Sequence, residues 1–557
     1  MSTRTQTSDR ISLPAVRAAA SVARSGLIPW NPFRALAIAL AVRRHGRSLA
    51  TLSAVGAARS PDTLAVVDDF GSITYRQLFE RVCRIAGAMH YVYGVRAGST
   101  VAVLARNHRY FAEAVLGAAR AGADLLLVNA EMSAEQLTKI LARHQPAMLI
   151  HDPEYCPTLA GVDCDRVLTY GDSDHVLANL AARRAPVPPP VRRLGKLILL
   201  TSGTTGLAKS AARRTRPDAL VGAALSAAPL VDVRRGSVIY IAAPFFHGFG
   251  LAQLAIALLT SSTVVTRSRF DAEHMLDALR RHRVTVLAAV PTMLQRMVDR
   301  CGDSAIQLHG TRVRRIITGA APISIQLCRR LDDLFGPVLV VGYGSTELGV
   351  VALAGPDDIA AAPGTVGRPV IGVSVRILRE DRSDAASGET GTVFVAGPMK
   401  FDEYLGGSDV EVVDGHLNTG DLGHLDQAGR LYIAGREDDM IVSGGENVFA
   451  TEVENVLAHH PAIADVGVIG VPDNEFGQRL RAYIQPRDDV AAPTPDEVKA
   501  FVRERLERYK TPRDVVFVNS LPRNPTGKLL RSRLHQFDET TTPSAAPPGL
   551  AAGGKPE

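Results

Sequence analysis

Lysine is scarce in this chain: there are eight, against 55 Arg, and two of them close glycine-rich runs. Lys209 ends Leu197-Ile-Leu-Leu-Thr201-Ser202-Gly203-Thr204-Thr205-Gly206-Leu207-Ala208-Lys209, and Lys528 ends Pro525-Thr526-Gly527-Lys528. In the first run an apolar strand feeds a loop of hydroxyls and glycines. Glycines let backbone N–H groups turn toward an anion and hydroxyls add donors. Lysine brings a compact, flexible point charge where arginine would bring a planar fork. The spacing is not GxxxxGK[ST], so a P-loop NTPase is not indicated. Composition alone leaves a flexible turn as the competing reading. Gly342-Tyr343-Gly344-Ser345-Thr346-Glu347 follows the apolar run Val338 to Val341, at a strand's carboxyl end, where α/β folds bind ligands. Asn418-Thr419-Gly420-Asp421, Gly435-Arg436-Glu437-Asp438-Asp439 and Ser443-Gly444-Gly445-Glu446-Asn447 come next. No metal-ligand spacing such as HExxH occurs, so any metal is expected to arrive with a substrate.

In this order and spacing the runs strongly resemble the adenylate-forming (AMP-binding) superfamily of acyl-CoA synthetases, peptide-synthetase adenylation domains and luciferases. The resemblance extends from about Asp62 to Leu534, nearly 85% of the chain. It implies an acid–thiol ligase that uses ATP, Mg²⁺ and CoA: a carboxylate attacks the α-phosphate to give acyl-AMP and pyrophosphate, and the CoA thiol then takes the acyl group.

It also implies roles for particular residues. Thr201, Ser202, Gly203, Thr204, Thr205, Gly206 and Lys209 would form the phosphate loop. Tyr343 would stack on adenine opposite Gly319, Ala320 and Ala321. Thr346 would hydrogen-bond the α-phosphate and Glu347 would hold Mg²⁺, a hard cation suited to carboxylate oxygen. Asp421 would accept the ribose hydroxyls and Arg436 would support the ribose and phosphate side. Lys528 would stabilise charge developing between carboxylate and α-phosphorus. Asp438 would be the hinge of a small domain that swings Gly444 and Gly445 toward the thiol channel.

His247, in Pro244-Phe-Phe-His-Gly-Phe-Gly, matches a position lining the carboxylate pocket, whereas a lone His among apolar residues more often belongs to the core. Two departures appear. Ala208-Lys209-Ser210 stands where relatives usually have Pro-Lys-Gly, and Gly397 to Tyr404 lacks the glycine usually found before its tyrosine. The branch expected is a fatty-acyl-CoA synthetase of medium- to long-chain preference. A fatty acyl-AMP ligase loading a carrier protein and an aryl-acid CoA ligase are the alternatives. An inactive nucleotide-binding scaffold is disfavoured by the presence of Lys528, Glu347 and Asp421.

These residues need a frame, and the chain supplies strand-like apolar runs alternating with helical patterns. The strand-like runs are Val101 to Leu104, Leu125 to Val128, Met148 to His151, Leu197 to Thr201, Val284 to Val290 and Val338 to Val341. Helical runs such as Tyr110 to Ala121 and Ala272 to Arg281 separate them. This rhythm predicts α/β layers with largely parallel sheets. After about Gly367 the pattern turns β-rich, and from about Glu437 to Gln536 it reads helix, strand, strand, helix, strand. The expected organisation is an N-terminal arm (1–61), a large adenylation domain of layered α/β subdomains with a β-rich subdomain (62–436), a small mobile α+β domain (437–538) and a disordered tail (539–557).

The 557 residues are 46% hydrophobic and 22% charged, which excludes wholesale disorder. Five cysteines (Cys83, Cys156, Cys164, Cys301, Cys328) form no CxxC pair, which fits a reducing compartment. The net charge of +6 is local: residues 1–61 hold nine Arg and one acid, Asp9, and the remainder holds 54 basic and 56 acidic residues. Nucleic-acid binding therefore has no support. The arm, with Trp30 and short apolar runs between its arginines, fits either an anionic membrane surface or packing on its own body. An organellar transit peptide has a similar composition. The uncharged stretch Gly236 to Thr266 is long enough to cross a bilayer. Pro244, His247, Gly248 and Gly250 interrupt it, and a buried strand, a loop and a core helix explain it better. The expected location is cytoplasmic, with peripheral membrane contact through the arm.

Overall fold

The computed structural model describes residues 32–46, 48–183, 185–191, 194–201, 209–213, 217–301, 308, 311–400, 403–405, 410–443, 446–473, 477–488 and 490–538. It divides into two compact units. One runs to Glu437 and takes in Pro525–Lys528; the other starts at Asp438, reaches Asn524 and resumes at Leu529. Pro525–Lys528 therefore belongs with the large unit rather than wholly with a small domain of 437–538, and Thr526 within it is buried.

Two mixed sheets carry the large unit. The nine-stranded sheet runs Arg368–Pro369, Gly349–Ala354, Leu339–Ser345, Arg315–Gly319, Val286–Ala288, Val238–Ile241, Thr263–Val265, Leu64–Asp68 and Gly71–Thr74. Its strands from Leu339–Ser345 to Leu64–Asp68 are parallel, and the edges turn antiparallel. The seven-stranded sheet runs Glu403–Leu405, Lys209–Arg213, Leu197–Thr201, Asp124–Leu127, Thr100–Leu104, Met148–His151 and Asp165–Leu168, parallel from Leu197–Thr201 onward. Strands such as Met148–His151 are buried along their whole length, as strands covered on both faces by helices must be.

Local chemistry sets the helix ends. Tyr75–Tyr91 begins with a reciprocal capping box between Thr74 and Gln77 and buries Leu78, Val82, Ile85 and Met89. Arg109–Ala121 begins at His108, whose side chain accepts from the Phe111 N–H, and stops at Gly122 in the left-handed region.

A separate antiparallel sheet follows, ordered Ser374–Leu378, Gly391–Ala396, His416–Leu425 and Val412–Val413, with Leu431–Arg436 also paired to His416–Leu425. The small unit has its own sheet, Glu446–Phe449, Met440–Ser443, Gly477–Pro486 and Ile463–Asp473, with Asp514–Phe517 parallel to Gly477–Pro486. From the helix Ala450–Leu457 onward it follows the anticipated helix, strand, strand, helix, strand order. The preceding strands Met440–Ser443 and Glu446–Phe449 are an addition, too short and too close to Gly444-Gly445 to read as strands.

One further boundary changes, and the reading of the uncharged stretch as strand, loop and helix holds. The arm ends before residue 61: the helix Thr51–Arg59 buries Ala54 and Val55, and Arg59 is buried with its guanidinium donating to the Leu259 carbonyl at 2.5 Å. Its positive charge anchors a helix to the body, so this part of the arm follows the packed alternative. Residues 1–31 and the tail 539–557 lie outside the described residues. The uncharged stretch resolves into the strand Val238–Ile241, a loop and the helix Gly248–Thr260. No described helix is long and apolar enough to cross a membrane.

Candidate active site

The carboxyl ends of the parallel strands carry several of the candidate residues, while Asp421 and Arg436 lie on the antiparallel sheet. His247 follows Val238–Ile241 as the residue before the helix Gly248–Thr260. Gly319 ends Arg315–Gly319, beside Gly342 of the neighbouring strand, and Ala320 holds a left-handed φ of 67°. A non-glycine residue in that region is strained and must be held by its surroundings. The strand Leu339–Ser345 is longer than its apolar run implies. Glycine has low strand propensity, yet Tyr343 faces Ala352 across an antiparallel pairing with Gly349–Ala354 that continues to Ser345 opposite Gly349. Thr346 and Glu347 thus occupy the tip of a tight hairpin, with the next residue, Leu348, buried and its N–H donating to Ser345 Oγ at 3.2 Å.

The Asn-Thr-Gly-Asp run is built to aim Asp421. Asn418 Oδ1 accepts from the Gly420 N–H at 2.7 Å. Thr419 Oγ1 accepts from the Asp421 N–H at 3.1 Å and donates to the Val393 carbonyl at 2.8 Å. Gly420 has φ 70°, a left-handed conformation that calls for glycine.

Asp421 and Arg436 are direct partners across antiparallel strands, and the guanidinium reaches Asp421 Oδ1 at 3.4 Å and the Thr419 carbonyl at 3.2 Å. The Tyr343 hydroxyl donates to Asp421 Oδ2 at 2.5 Å. Burial pushes the Asp421 carboxyl above its ordinary value, while the Tyr343 hydrogen bond and the positive charges of Arg436 and Lys528 pull it down. Burial and the Asp421 charge raise the Tyr343 phenol far above its usual range, so it remains a donor.

His247, like His90, carries a buried ring nitrogen with no hydrogen-bond partner. Part of His247 is open to solvent, yet this nitrogen, its Nε2, is buried. Burial lowers the imidazole to about 4, so it is neutral at pH 7. A buried nitrogen left unpaired costs free energy, and a ligand bearing a polar atom could satisfy it.

Leu197–Thr201 and Lys209–Arg213 are antiparallel neighbours, with Thr201 paired to Lys209. The intervening Ser202, Gly203, Thr204, Thr205, Gly206 and Ala208 lie outside the described residues, as do Gly444 and Gly445. Ser210, where the resemblance implies glycine, is fully buried, and its hydroxyl lies 2.8 Å from His144 Nε2. The added hydroxyl thus has a partner from the helix Ala134–His144, 66 positions away in sequence, which no local pattern announces. Asp438 lies in the short 3₁₀ turn Glu437–Asp439. Among the described residues no three His, Cys, Asp or Glu side chains gather to hold a metal. Glu347 is an oxygen donor of the kind Mg²⁺ prefers when phosphate oxygens complete its shell.

Known proteins share this chain's family and fold. A family described as AMP-binding enzyme matches residues 54–405, and the AMP-binding enzyme C-terminal domain matches residues 452–528. The chain is 33% identical over 509 residues to a methyl-dioxo-octahydroindenyl-propanoyl:CoA ligase of Rhodococcus jostii (strain RHA1), covering 85% of this chain and 95% of that protein. It is 32% identical over 486 residues to a feruloyl-CoA synthase of Amycolatopsis, covering 86% of this chain and 96% of that one. The structure of ATP-bound MatB from Rhodopseudomonas palustris matches with a TM-score of 0.79 at 27% identity, covering 88% of this chain and 99% of that one. With both family domains present in order and relatives matched over most of their length, the chain belongs to the AMP-binding enzyme family, the adenylate-forming superfamily.

Proposed function

We propose that this ATP-dependent CoA ligase acts on a ring-bearing carboxylic acid, forming an acyl-AMP that the CoA thiol then converts to acyl-CoA and AMP. The observation that carries the nucleotide half is the Tyr343–Asp421–Arg436 cluster. A carboxylate held beside an aromatic ring offers acceptors for a ribose and a face for a purine. Thr346 and Glu347 on the hairpin tip serve the α-phosphate and its Mg²⁺, and Lys528 supplies positive charge to the transition state. His247, neutral and with a free Nε2, orients the acid without adding charge. Asp438 is the pivot that lets one site serve two steps.

The acid half rests on the relatives: the octahydroindenyl-propanoyl and feruloyl ligases act, by name, on acids that carry rings. These two favour a ring-bearing acid, while a fatty acid–[acyl-carrier-protein] ligase of Streptomyces coeruleorubidus, 31% identical over 522 residues, supports the fatty-acid alternative. The test is turnover with benzoic, cinnamic, indoleacetic and C8–C16 alkanoic acids, with and without CoA, resolving products by mass. Acyl-CoA and AMP from ring-bearing acids are the expected products. Turnover confined to alkanoic acids would return the fatty-acid reading, and acyl-AMP accumulating despite CoA would move the acceptor to a carrier protein.

His247 also makes a prediction about pH. Its folded value of about 4 lies below the ordinary 6.5, so the unfolded chain takes up the proton first as pH falls. The stability linked to this group is complete above pH 6.5, declines between 6.5 and 4, and the loss is complete below that. The whole step is about 3 kcal/mol. His247→Asn, which cannot titrate, is expected to show a shallower fall in urea midpoint across this window, and parallel profiles would exclude His247 as the source.

Peripheral membrane contact is the proposed role of the arm. The helix Pro32–His45 buries none of its residues, exposes Leu36, Leu40 and Val42, and ends in Arg43, Arg44 and His45. Apolar side chains beside arginines suit an anionic lipid surface. Leu36→Ser/Leu40→Ser is expected to reduce co-sedimentation with phosphatidylserine vesicles severalfold. Equal sedimentation of variant and parent would rule this surface out.

A further inference from the structure

The turn that presents His247 is held from outside its own sheet. Asn107 lies beyond the carboxyl end of Thr100–Leu104, in the seven-stranded sheet, whereas Ala243 and Phe245 follow Val238–Ile241 of the nine-stranded sheet. Asn107 Nδ2 donates to the Ala243 carbonyl at 2.9 Å, and Asn107 Oδ1 accepts from the Phe245 N–H at 2.7 Å. One side-chain amide therefore satisfies a backbone acceptor and a backbone donor two residues apart, as a neighbouring strand would. Asn107 is only 5% exposed.

Its own position is fixed by a buried carboxylate. Asp152 Oδ2 accepts from the Arg106 N–H at 2.9 Å, and Asp152 Oδ1 meets His108 Nε2 at 2.9 Å and the Thr169 hydroxyl at 2.5 Å. The residues on both sides of Asn107 are thus tied to one group that is itself 1% exposed.

Downstream the turn has no slack. The His247 N–H donates to the Pro244 carbonyl at 3.1 Å, and the Leu251 N–H donates to the His247 carbonyl at 2.9 Å. A Cβ on Gly250 would lie 2.2 Å from the Pro244 carbonyl oxygen, so the helix sits directly on the turn and transmits its position. The Phe245 ring packs on Phe111 with centroids 5.5 Å apart.

We propose that Asn107 is a positioning residue for the carboxylic acid: by joining the two sheets it sets where His247 offers its unpartnered Nε2. The inference rests on the reading that His247 lines the acid pocket. Removing the amide leaves a buried carbonyl and a buried N–H unpaired, and the turn moves to find other partners. Displacements of about 1 Å in a positioning group can cost about 10²-fold in rate.

The test is steady-state kinetics on the full chain, using whichever acid of the panel above turns over fastest. Asn107→Ala is expected to raise KM for the acid about tenfold while KM for ATP stays within about twofold. Asn107→Asp, which keeps the acceptor and loses the donor, falls between, and it carries the same comparison if the alanine variant unfolds. In a His247→Ala background Asn107→Ala should add almost nothing, because coupled residues are not additive. An unchanged acid KM in both Asn107 variants, an equal rise in KM for ATP, or full additivity with His247→Ala overturns the proposal. His247→Ala leaving acid KM and acid preference untouched overturns the pocket reading itself, and that failure is told apart by the variant in which it appears.

Discussion

Lys528→Ala is expected to slow acyl-AMP formation by about 10²- to 10³-fold while leaving thioester formation from supplied acyl-AMP within a few-fold of the parent. The argument begins with residue choice. A chain that uses Arg nearly seven times as often as Lys keeps Lys at the end of Pro525–Lys528. Arginine there would bring a rigid fork, whereas charge shared between an attacking carboxylate and a phosphoryl group changes shape along the reaction and suits a compact ammonium. The segment belongs with the large unit, and the Lys528 charge is felt by Asp421. Lys528→Arg is accordingly expected to recover only part of the activity. Pyrophosphate release reports the first step, and acyl-CoA formed from synthetic acyl-AMP reports the second. Equal loss in both would contradict a role confined to adenylation.

Much of the frame was legible because local pattern and tertiary role coincide in it. Met148–His151, Leu197–Thr201 and Ala272–Arg281 fold over the residues their periodicity marks, since an element buried on a definite face must show that face in its sequence. The site is less legible because its contacts are not local. Tyr343 and Asp421 are 78 positions apart, Asn107 and Phe245 are 138 apart, and His144 and Ser210 are 66 apart. Each pair is created by sheet order, which no window along the chain contains. Charge misled where a cation is buried: Arg59 reads as part of a basic arm, yet it caps a body helix. Asn107 had a faint signal, as a polar residue just beyond the carboxyl end of an apolar strand, but its use depends on a second sheet. The strand ending at Ser345 was hidden by its glycines, whose backbone pairing with Gly349–Ala354 supplies what their side chains cannot.

Asp421→Ala should produce the largest combined loss of stability and nucleotide affinity, because one carboxylate serves the fold and the proposed ribose site together. In the folded protein it takes the Tyr343 hydroxyl at 2.5 Å and the Arg436 guanidinium at 3.4 Å. Alanine leaves both partners without that acceptor, and with Arg436 about a third exposed the loss is about 2–3 kcal/mol. The expected result is a clear fall in urea midpoint together with about a hundredfold weaker ATP binding by calorimetry, near 2.7 kcal/mol. Asp421→Asn separates the two effects. Its amide oxygen still accepts from Tyr343, so the stability loss should shrink to about 1 kcal/mol. The uncharged amide turns an N–H toward Arg436 or toward the sugar, so nucleotide affinity should stay poor. Tyr343→Phe supplies the complementary control: it removes the hydroxyl but keeps the ring proposed to stack on adenine, and it frees Asp421 Oδ2 for a ribose hydroxyl. Its ATP affinity should therefore stay within a few-fold of the parent. If Asp421→Asn bound ATP as tightly as the parent, the carboxylate would be a structural partner of Tyr343 and Arg436 and nothing more, and the ribose would have to be held elsewhere in the large unit.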